Sequence, residues 1–407
     1  MECDDLAWVV LAGGKGTRSE NPDLPKILQD IEGRMVLDFL IDSLELTTQS
    51  EVIFVIKHGS EQIVSELQKP GRLPVTPKIV VDTGSGPVAA LIEAKSKISA
   101  SNIGIILGDT VMSAPLKKVA NVFVRSSFKS AVVIRQTDHL FDSDSVTVDS
   151  NGNITSYSPK SSEKNMRLGQ VWGVTGLLFL TTDAVSTLDE DKPDVANAIF
   201  SSVCSVADVL ALRTSYYFRD SGTPERIAKI RSDYLQQKLI YPRLKNPRSC
   251  LFLDRDGTLL QDQPLGRRDL RELDFKPESL DLVRNANMRG CPVILVTNQP
   301  AIAKGQITFE DVYYVHNLLQ KMLNEKGAKI DDFYFCPHHP DKGFLGEVAH
   351  LKVECNCRKP ATGLFMTAAE EHNLLLGQGS TLLGDSVADL MAAERLGLTF
   401  IDVKDLA

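Results

Sequence analysis

Asp254-Arg255-Asp256-Gly257-Thr258 sets two carboxylates one residue apart, directly behind the apolar run Cys250-Leu251-Phe252-Leu253. That spacing suits phosphoryl transfer. A phosphate ester repels anionic nucleophiles, so a carboxylate attacking phosphorus needs Mg²⁺ to offset the repulsion and a second acid to protonate the leaving group. Asp254 and Asp256 supply the pair. Where a strand opens into a loop, positions two apart can both face the C-terminal edge of a sheet, the edge at which α/β proteins bind ligands. A second motif stands far upstream, where Leu11-Ala12-Gly13-Gly14-Lys15-Gly16-Thr17-Arg18 follows another apolar run. Glycines at 13, 14 and 16 let backbone N–H groups approach a triphosphate closely, and Lys15, Arg18 and Lys26 can offset its charge. The loop is not a dinucleotide fingerprint, because Ser19 stands where the third glycine is needed, and it lacks the Gly-Lys-Ser/Thr of a Walker loop.

A third constellation involves sulfur. The seven cysteines cannot all pair within the chain, and while Cys3, Cys204, Cys250 and Cys291 are scattered, Cys336, Cys355 and Cys357 cluster. This pattern favours a metal over disulfides. Cys336-Pro337-His338 and Cys355-Asn356-Cys357 together offer three thiolates and an imidazole, the donor set of a tetrahedral structural Zn²⁺ site, with His339 as the alternative to His338.

These motifs need strands behind them. Trp8–Leu11, Val52–Ile56, Lys78–Val81, Ile103–Leu107 and Ala131–Ile134 are β-branched runs, and apolar residues at helical spacing in Val36–Leu44 and Val88–Ile98 lie between them. The alternation predicts an α/β fold with a mostly parallel, doubly wound sheet. Thr223-Pro224-Glu225 reads as a helix start, and the helix runs to about Leu239 before the stretch Tyr241 to Arg248 breaks it. A second α/β unit then follows, with strands at Cys250–Leu253, Val293–Val296, Phe333–Phe335 and Thr381–Gly384. Ser156–Ser162 reads as a surface loop. A chain of 407 residues exceeds what one core usually organises, so the expected division is a domain over 1–240, a linker over 241–248 and a domain over 249–407.

Composition narrows the partners. A net charge of −8 disfavours a broad basic surface for nucleic acid and suits small anionic substrates held in local basic pockets. The apolar run Leu6 to Ala12 is short and follows Glu2, Asp4 and Asp5, the wrong charge and length for a secretory signal. No run approaches the roughly 20 apolar residues of a membrane span. The expected compartment is the cytoplasm, with no membrane partner.

Val296-Thr297-Asn298-Gln299, Arg358-Lys359-Pro360 and Gly384-Asp385-Ser386-Val387-Ala388-Asp389 follow the Asp254 motif in order. The set resembles the haloacid dehalogenase phosphatase superfamily. That resemblance implies Asp254 as nucleophile, Asp256 as general acid/base, and Thr297, Asn298, Arg358 and Lys359 as phosphate- and substrate-binding groups. It also implies Mg²⁺ on Asp254, Asp256 and Asp385, with Asp389 in support. The pattern Cys-x-His…Cys-x-Cys-Arg-Lys-Pro is similar to zinc-loop phosphatases of heptose 1,7-bisphosphate and of histidinol phosphate. The long span between His338 and Cys355 favours the heptose branch, and the pattern implies Zn²⁺ on Cys336, His338, Cys355 and Cys357.

Upstream, Leu-Ala-Gly-Gly-x-Gly-Thr-Arg with Leu24-Pro25-Lys26 resembles the sugar-phosphate nucleotidylyltransferases. Thr83-Gly84-Ser85-Gly86, Gly108-Asp109, Trp172-Gly173-Val174-Thr175-Gly176 and Asp220-Ser221-Gly222 extend the likeness. It implies a Rossmann-like fold and a nucleotide on Leu11–Thr17, Gly84 and Gly86. Mg²⁺ on Asp109 and Asp220 and charge stabilisation by Arg18 and Lys26 follow in the same way. Together the resemblances imply a bifunctional enzyme of nucleotide-activated heptose synthesis that takes sugar phosphates and an NTP, with GTP favoured. The rivals are a histidinol-phosphate phosphatase fused to a transferase of other specificity, and a nucleotide-sugar-binding regulatory module in the N-terminal half.

Overall fold

The structure, a computed structural model, describes residues 5–14, 23–84, 86–138, 143–160, 166–239, 246–261 and 273–406. Its N-terminal half is built on Leu6–Ala12, whose alternating side chains serve two cores. Trp8 and Val10 enter one cluster, and Ala7 and Val9 enter the cluster on the opposite face. Glu51–Ile56 repeats the division, with Phe54 on one side and Ile53 and Val55 on the other. A strand covered on both faces has no polar side to present, which is why these runs read as continuously apolar. Leu6–Ala12 pairs in parallel with Glu51–Ile56 and with Asn102–Leu107, and Lys78–Val81 extends the parallel set beyond Glu51–Ile56. Gly104 allows the close packing, because a Cβ there would lie 2.3 Å from the Trp8 ring.

The described residues complete a nine-stranded sheet in which the expected mostly parallel pattern holds on one side only. Gln170–Thr181 runs antiparallel against Asn102–Leu107, Ser130–Arg135 and Ser145–Val148, and Val209–Arg213 closes the edge beside Ser130–Arg135. Ser156 to Ser158, expected in a loop, belong to the strand Ile154–Ser158. Tyr157 stacks on Phe200 with ring centroids 4.2 Å apart, and the Thr147 and Ser156 hydroxyls are 2.7 Å apart. Such cross-strand pairs stabilise a polar-looking edge that periodicity alone does not reveal. The helix Val36–Leu44 forms as expected, whereas the one expected over Val88–Ile98 spans Pro87–Ala94 and tightens into a 3₁₀ turn.

The C-terminal half is an all-parallel sheet of five strands in the order Asp332–Cys336, Val293–Asn298, Leu251–Leu253, Thr381–Gly384 and Thr399–Asp402. Leu251 and Leu253 face one core while Cys250 and Phe252 face the other. In both sheets chain order reverses beside the first strand. The reversals fall between Leu6–Ala12 and Asn102–Leu107, and between Leu251–Leu253 and Thr381–Gly384. At such switch points neighbouring loops diverge and open a crevice at the strands' C-terminal ends.

The halves dock through polar contacts. Asn317, buried on the helix Phe309–Glu325, accepts at 2.8 Å from both Gln170 Nε2 and the Val171 amide. It also donates to the carbonyls of Met166 and Gly169, at 2.9 Å each. Arg213 reaches across to Glu371 at 2.6 Å and Asp332 at 3.3 Å, and Asp332 also meets His372 Nε2 at 2.8 Å. Among the described residues no helix is long and apolar enough to cross a membrane.

Candidate active sites

In the C-terminal crevice Asp254 emerges from Leu251–Leu253, its amide bonded to the Leu383 carbonyl at 3.0 Å. Lys359 Nζ lies 2.6 Å from Asp254 Oδ1 and 2.6 Å from Asp389 Oδ1. Asp254, Asp385 and Asp389 each place a carboxylate oxygen within 4.8 Å of the others. Three such groups around a single lysine leave an excess of negative charge, which suits a divalent cation with oxygen ligands. Burial, with Asp389 and Asp256 adding and Lys359 opposing, pushes Asp254 up to about 6. Burial and Asp389 likewise raise Asp385. A cation among these oxygens would favour their ionised forms. Burial works against the Lys359 charge, but Asp254 and Asp389 outweigh it and raise the lysine.

Two glycines permit this convergence. Gly257 has φ +73°, and a Cβ there would sit 2.2 Å from Asp385 Oδ2, while a Cβ on Gly384 would meet that of Asp389 at 2.5 Å. Ser386 caps the helix Val387–Leu396, and the reciprocal bond from its backbone N–H to Asp389 Oδ2, at 3.3 Å, orients that carboxylate.

The Asp256 carboxylate lies outside the group formed by Asp254, Asp385 and Asp389. Its carboxylate is held by Arg255 Nη2 at 2.8 Å and Gln299 Nε2 at 2.8 Å. Arg255 Nη1 stands 3.2 Å from His316 Nε2. Burial and the Arg255 charge hold His316 well below its usual pKa, so its ring is neutral and Nε2 accepts from the guanidinium. Asn298, expected to bind substrate, uses both ends of its amide on the Lys359 backbone, at 3.0 and 3.1 Å. It therefore positions the lysine. Thr297 is buried at the end of its strand and accepts from Gln299 Nε2 at 3.0 Å. The His316 contact comes from a distant chain segment and had no sequence signal, whereas the Gln299 contact had a local hint, being next to Thr297-Asn298.

The Cys336, His338, Cys355 and Cys357 donor atoms also lie within 4.8 Å of one another. Cys336 Sγ is 3.6 Å from both His338 Nδ1 and Cys355 Sγ, and Cys357 Sγ is 3.2 Å from Cys355 Sγ and from His338 Nδ1. Tetrahedral Zn²⁺ with ligands at about 2.3 Å separates its donors by roughly 3.5–3.8 Å, so slight expansion of this cluster accommodates the ion. A hydrogen bond from Cys336, with others from Cys355 and His338, brings Cys357 down to about 5. His339 turns away and accepts from the Asp341 amide at 3.2 Å. Arg358, next to Cys357, donates to the His338 carbonyl at 3.4 Å, tying the cluster to the loop that carries Lys359.

The N-terminal crevice contains two cavities that meet at Asp109. One, of about 600 Å³, is lined by Leu11, Ala12, Gly13, Gly14, Lys26, Gly84, Gly86 and Asp109, together with Lys57 and Asp82. The other, of about 420 Å³, takes Asp109, Thr175, Gly176, Asp220 and Arg226, with Arg135, Lys160 and Arg219. Lys26 Nζ bonds Asp109 Oδ2 at 2.7 Å, and Ser221 holds the Asp109 carbonyl through its amide at 2.7 Å and its hydroxyl at 2.9 Å. Asp220 accepts from Arg226 and from the Gly222 amide at 3.1 Å. Gly13 fits because a Cβ would crowd Lys57 Cβ at 3.2 Å, and Gly176 because a Cβ would lie 2.1 Å from Thr110 Oγ1. Lys57 and Asp82, 3.6 Å apart, went unremarked in the sequence, although Lys57 directly follows the strand Glu51–Ile56. Lys15, Gly16, Thr17 and Arg18 lie outside the described residues.

Fold and crevices define an enzyme with a phosphoryl-transfer site in each half. Residues 8–170 match the MobA-like NTP transferase domain. A D-glycero-beta-D-manno-heptose-1,7-bisphosphate 7-phosphatase from Yersinia pestis is 36% identical over 144 residues, covering 35% of this chain and 73% of the relative. Its counterpart in Rhodopseudomonas palustris is 34% identical over 152 residues, covering 37% of this chain and 81% of the relative. Similar solved structures include HddC from Yersinia pseudotuberculosis, with 23% identity over 57% of this chain and all of that one, at a TM-score of 0.43. Another is the D,D-heptose 1.7-bisphosphate phosphatase of B. bronchiseptica in complex with magnesium and phosphate, with 30% identity, 37% and 78% coverage and a TM-score of 0.32. The chain belongs to the heptose-bisphosphate phosphatase family, fused to a nucleotidyltransferase domain.

Proposed function

We propose that the two halves catalyse consecutive steps, removal of the 7-phosphate from D-glycero-D-manno-heptose 1,7-bisphosphate and transfer of a nucleotidyl group from an NTP to the resulting heptose 1-phosphate. The observation that carries this reading is the presence, in one chain of this phosphatase family, of a second crevice whose two cavities share one carboxylate, Asp109. A donor nucleotide and an acceptor phosphate can then meet at that residue. We take the domains as 1–240 and 249–407, joined by 241–248, and the cytoplasm as the compartment. GTP is the proposed donor, on the resemblance to heptose transferases that use guanine nucleotides.

In the phosphatase, Asp254 Oδ attacks the 7-phosphorus as the bond to the sugar oxygen breaks, and Asp256 gives that oxygen its proton. Asp256 then takes a proton from water as the water attacks the aspartyl-phosphate and releases orthophosphate. Lys359 binds the phosphoryl oxygens, while Arg255 and Gln299 keep Asp256 aimed. Asp254, Asp256 and Asp385, with Asp389 in support, would hold Mg²⁺, which would supply charge neutralisation. In the transferase the acceptor's phosphate oxygen attacks the α-phosphorus and pyrophosphate departs. Lys26 and Arg18 stabilise the charge on it, and Asp109 and Asp220 would hold the nucleotide's Mg²⁺.

Incubation with each anomer of the bisphosphate and each NTP is expected to release orthophosphate first and pyrophosphate second, fastest with GTP. Absence of pyrophosphate with every NTP would reject the transferase reading, and absence of orthophosphate would reject the phosphatase substrate. Cys336, His338, Cys355 and Cys357 are proposed to hold a structural Zn²⁺ that fixes the loop carrying Arg358 and Lys359. Cys355→Ala is expected to lose bound zinc by metal analysis and to slow phosphate release. Full zinc occupancy in that variant would remove the site.

A further inference from the structure

A third cavity, of about 470 Å³, lies where the halves meet and includes none of Asp109, Asp220, Asp254 or Asp385. Seven arginine and lysine side chains line it against three carboxylates. Those carboxylates are already engaged. Asp138 meets Arg219 at 2.7 Å, Asp233 serves Lys238 at 2.8 Å and Lys229 at 3.1 Å, and Asp331 pairs with Lys329. Arg135 and Arg248 have no carboxylate partner among the described residues. Arg248 donates to the Ser215 hydroxyl at 2.6 Å and the His372 carbonyl at 2.8 Å, and its guanidinium lies over Tyr216, 4.2 Å from the ring centroid.

Several residues of the wall also carry buried polar atoms that lack a partner. Ser113 Oγ, Arg248 Nε, Asn287 Nδ2 and Asn324 Oδ1 are buried without a hydrogen-bond partner, and all four residues line the cavity. Three of these atoms can donate, and an unsatisfied buried donor costs about 1–3 kcal/mol. Burial lowers Lys329, Asp331 works against that shift, and the nearby Arg135 charge adds to it. Crowded cations and idle donors around a space this large mark a place prepared for an anion larger than a halide.

We propose that the cavity between the halves binds a phosphorylated small molecule, its phosphate among Arg248, Arg284, Lys329 and Asn287. Residues of both halves line the cavity, so the docked arrangement is what encloses an occupant. Arg135 and Arg219 also wall the acceptor cavity of the transferase, so the test leaves them unaltered.

Titration calorimetry on the full chain in magnesium-free buffer, at fixed ionic strength, uses inorganic pyrophosphate and AMP as probes. Omitting magnesium withholds the metal that both catalytic sites need for phosphates and leaves bound zinc in place. At least one probe is expected to bind, with Kd raised about tenfold or more in both Lys329→Met and Arg284→Met, while both catalytic rates stay at wild-type levels without added probe. Tighter binding of AMP identifies the occupant as a nucleotide, and tighter binding of pyrophosphate identifies a free polyphosphate. Failure of both probes to bind wild type overturns the proposal, as does wild-type affinity in either folded variant. Thermal midpoints without probe establish folding, and if one variant fails to fold the other carries the test.

Discussion

Asp254→Asn is expected to abolish phosphate-ester hydrolysis, lowering the rate on the order of 10⁴-fold or more, about 5 kcal/mol of barrier. The substitution keeps the shape of the side chain but removes the anionic oxygen that attacks phosphorus. Asp385, Asp389 and Lys359 remain, so the phosphoryl group can still be bound without being captured. A rate loss in kcat with KM little changed, read by orthophosphate release, is the expected signature. With heptose 1-phosphate and an NTP supplied directly, pyrophosphate release by the transferase should continue at its wild-type rate, because Asp254 lies in the other sheet. Hydrolysis within tenfold of wild type would remove Asp254 as nucleophile. Arg255→Met supplies a contrast, since that side chain holds Asp256 and meets His316 without entering the carboxylate group. Its expected effect is a smaller loss with a displaced pH profile, as befits a residue that positions the acid.

Asp109→Asn should lower pyrophosphate release by about 10²–10³-fold, the scale of losing one preorganised electrostatic contact at a transferring phosphoryl group. Asp109 is the carboxylate that lines both N-terminal cavities, and it fixes Lys26 at 2.7 Å. Its replacement therefore removes a proposed metal ligand and frees a lysine from its partner. The Ser221 contacts fall on the Asp109 carbonyl, so they survive the change and the local backbone should hold. Orthophosphate release from the bisphosphate should be unaffected. A transferase rate above half of wild type would place the donor and acceptor elsewhere. Asp220→Asn should show a similar loss, and the double variant should lose less than the product of the two single losses if both carboxylates act on one cation.

Several elements could be read directly from the chain. The strands Lys78–Val81 and Thr381–Gly384 and the helix Val36–Leu44 appear at the expected residues, because their apolar periodicities match the faces they bury. The antiparallel strand Gln170–Thr181 and the edge Ile154–Ser158 were obscured, since polar residues there are satisfied by neighbours distant in sequence. The carboxylates at 254, 256, 385 and 389 and the cysteine-histidine set could be named from motif order. Their division of labour was another matter.

Motif chemistry and strand pattern are local properties, so the amino-acid order alone determined two α/β units, each with a phosphate-handling loop behind a strand. Distances between segments are set by packing, and therefore only the folded chain decided that Lys359 bridges Asp254 and Asp389 while Arg255 and Gln299 hold the Asp256 carboxylate apart. The same cause accounts for Asn298 gripping Lys359, for Asp109 standing between two cavities, and for the cationic chamber between the halves. Each depends on residues tens to hundreds of positions apart, brought together by burial of the sheets' apolar faces and by the polar contacts that join the two halves.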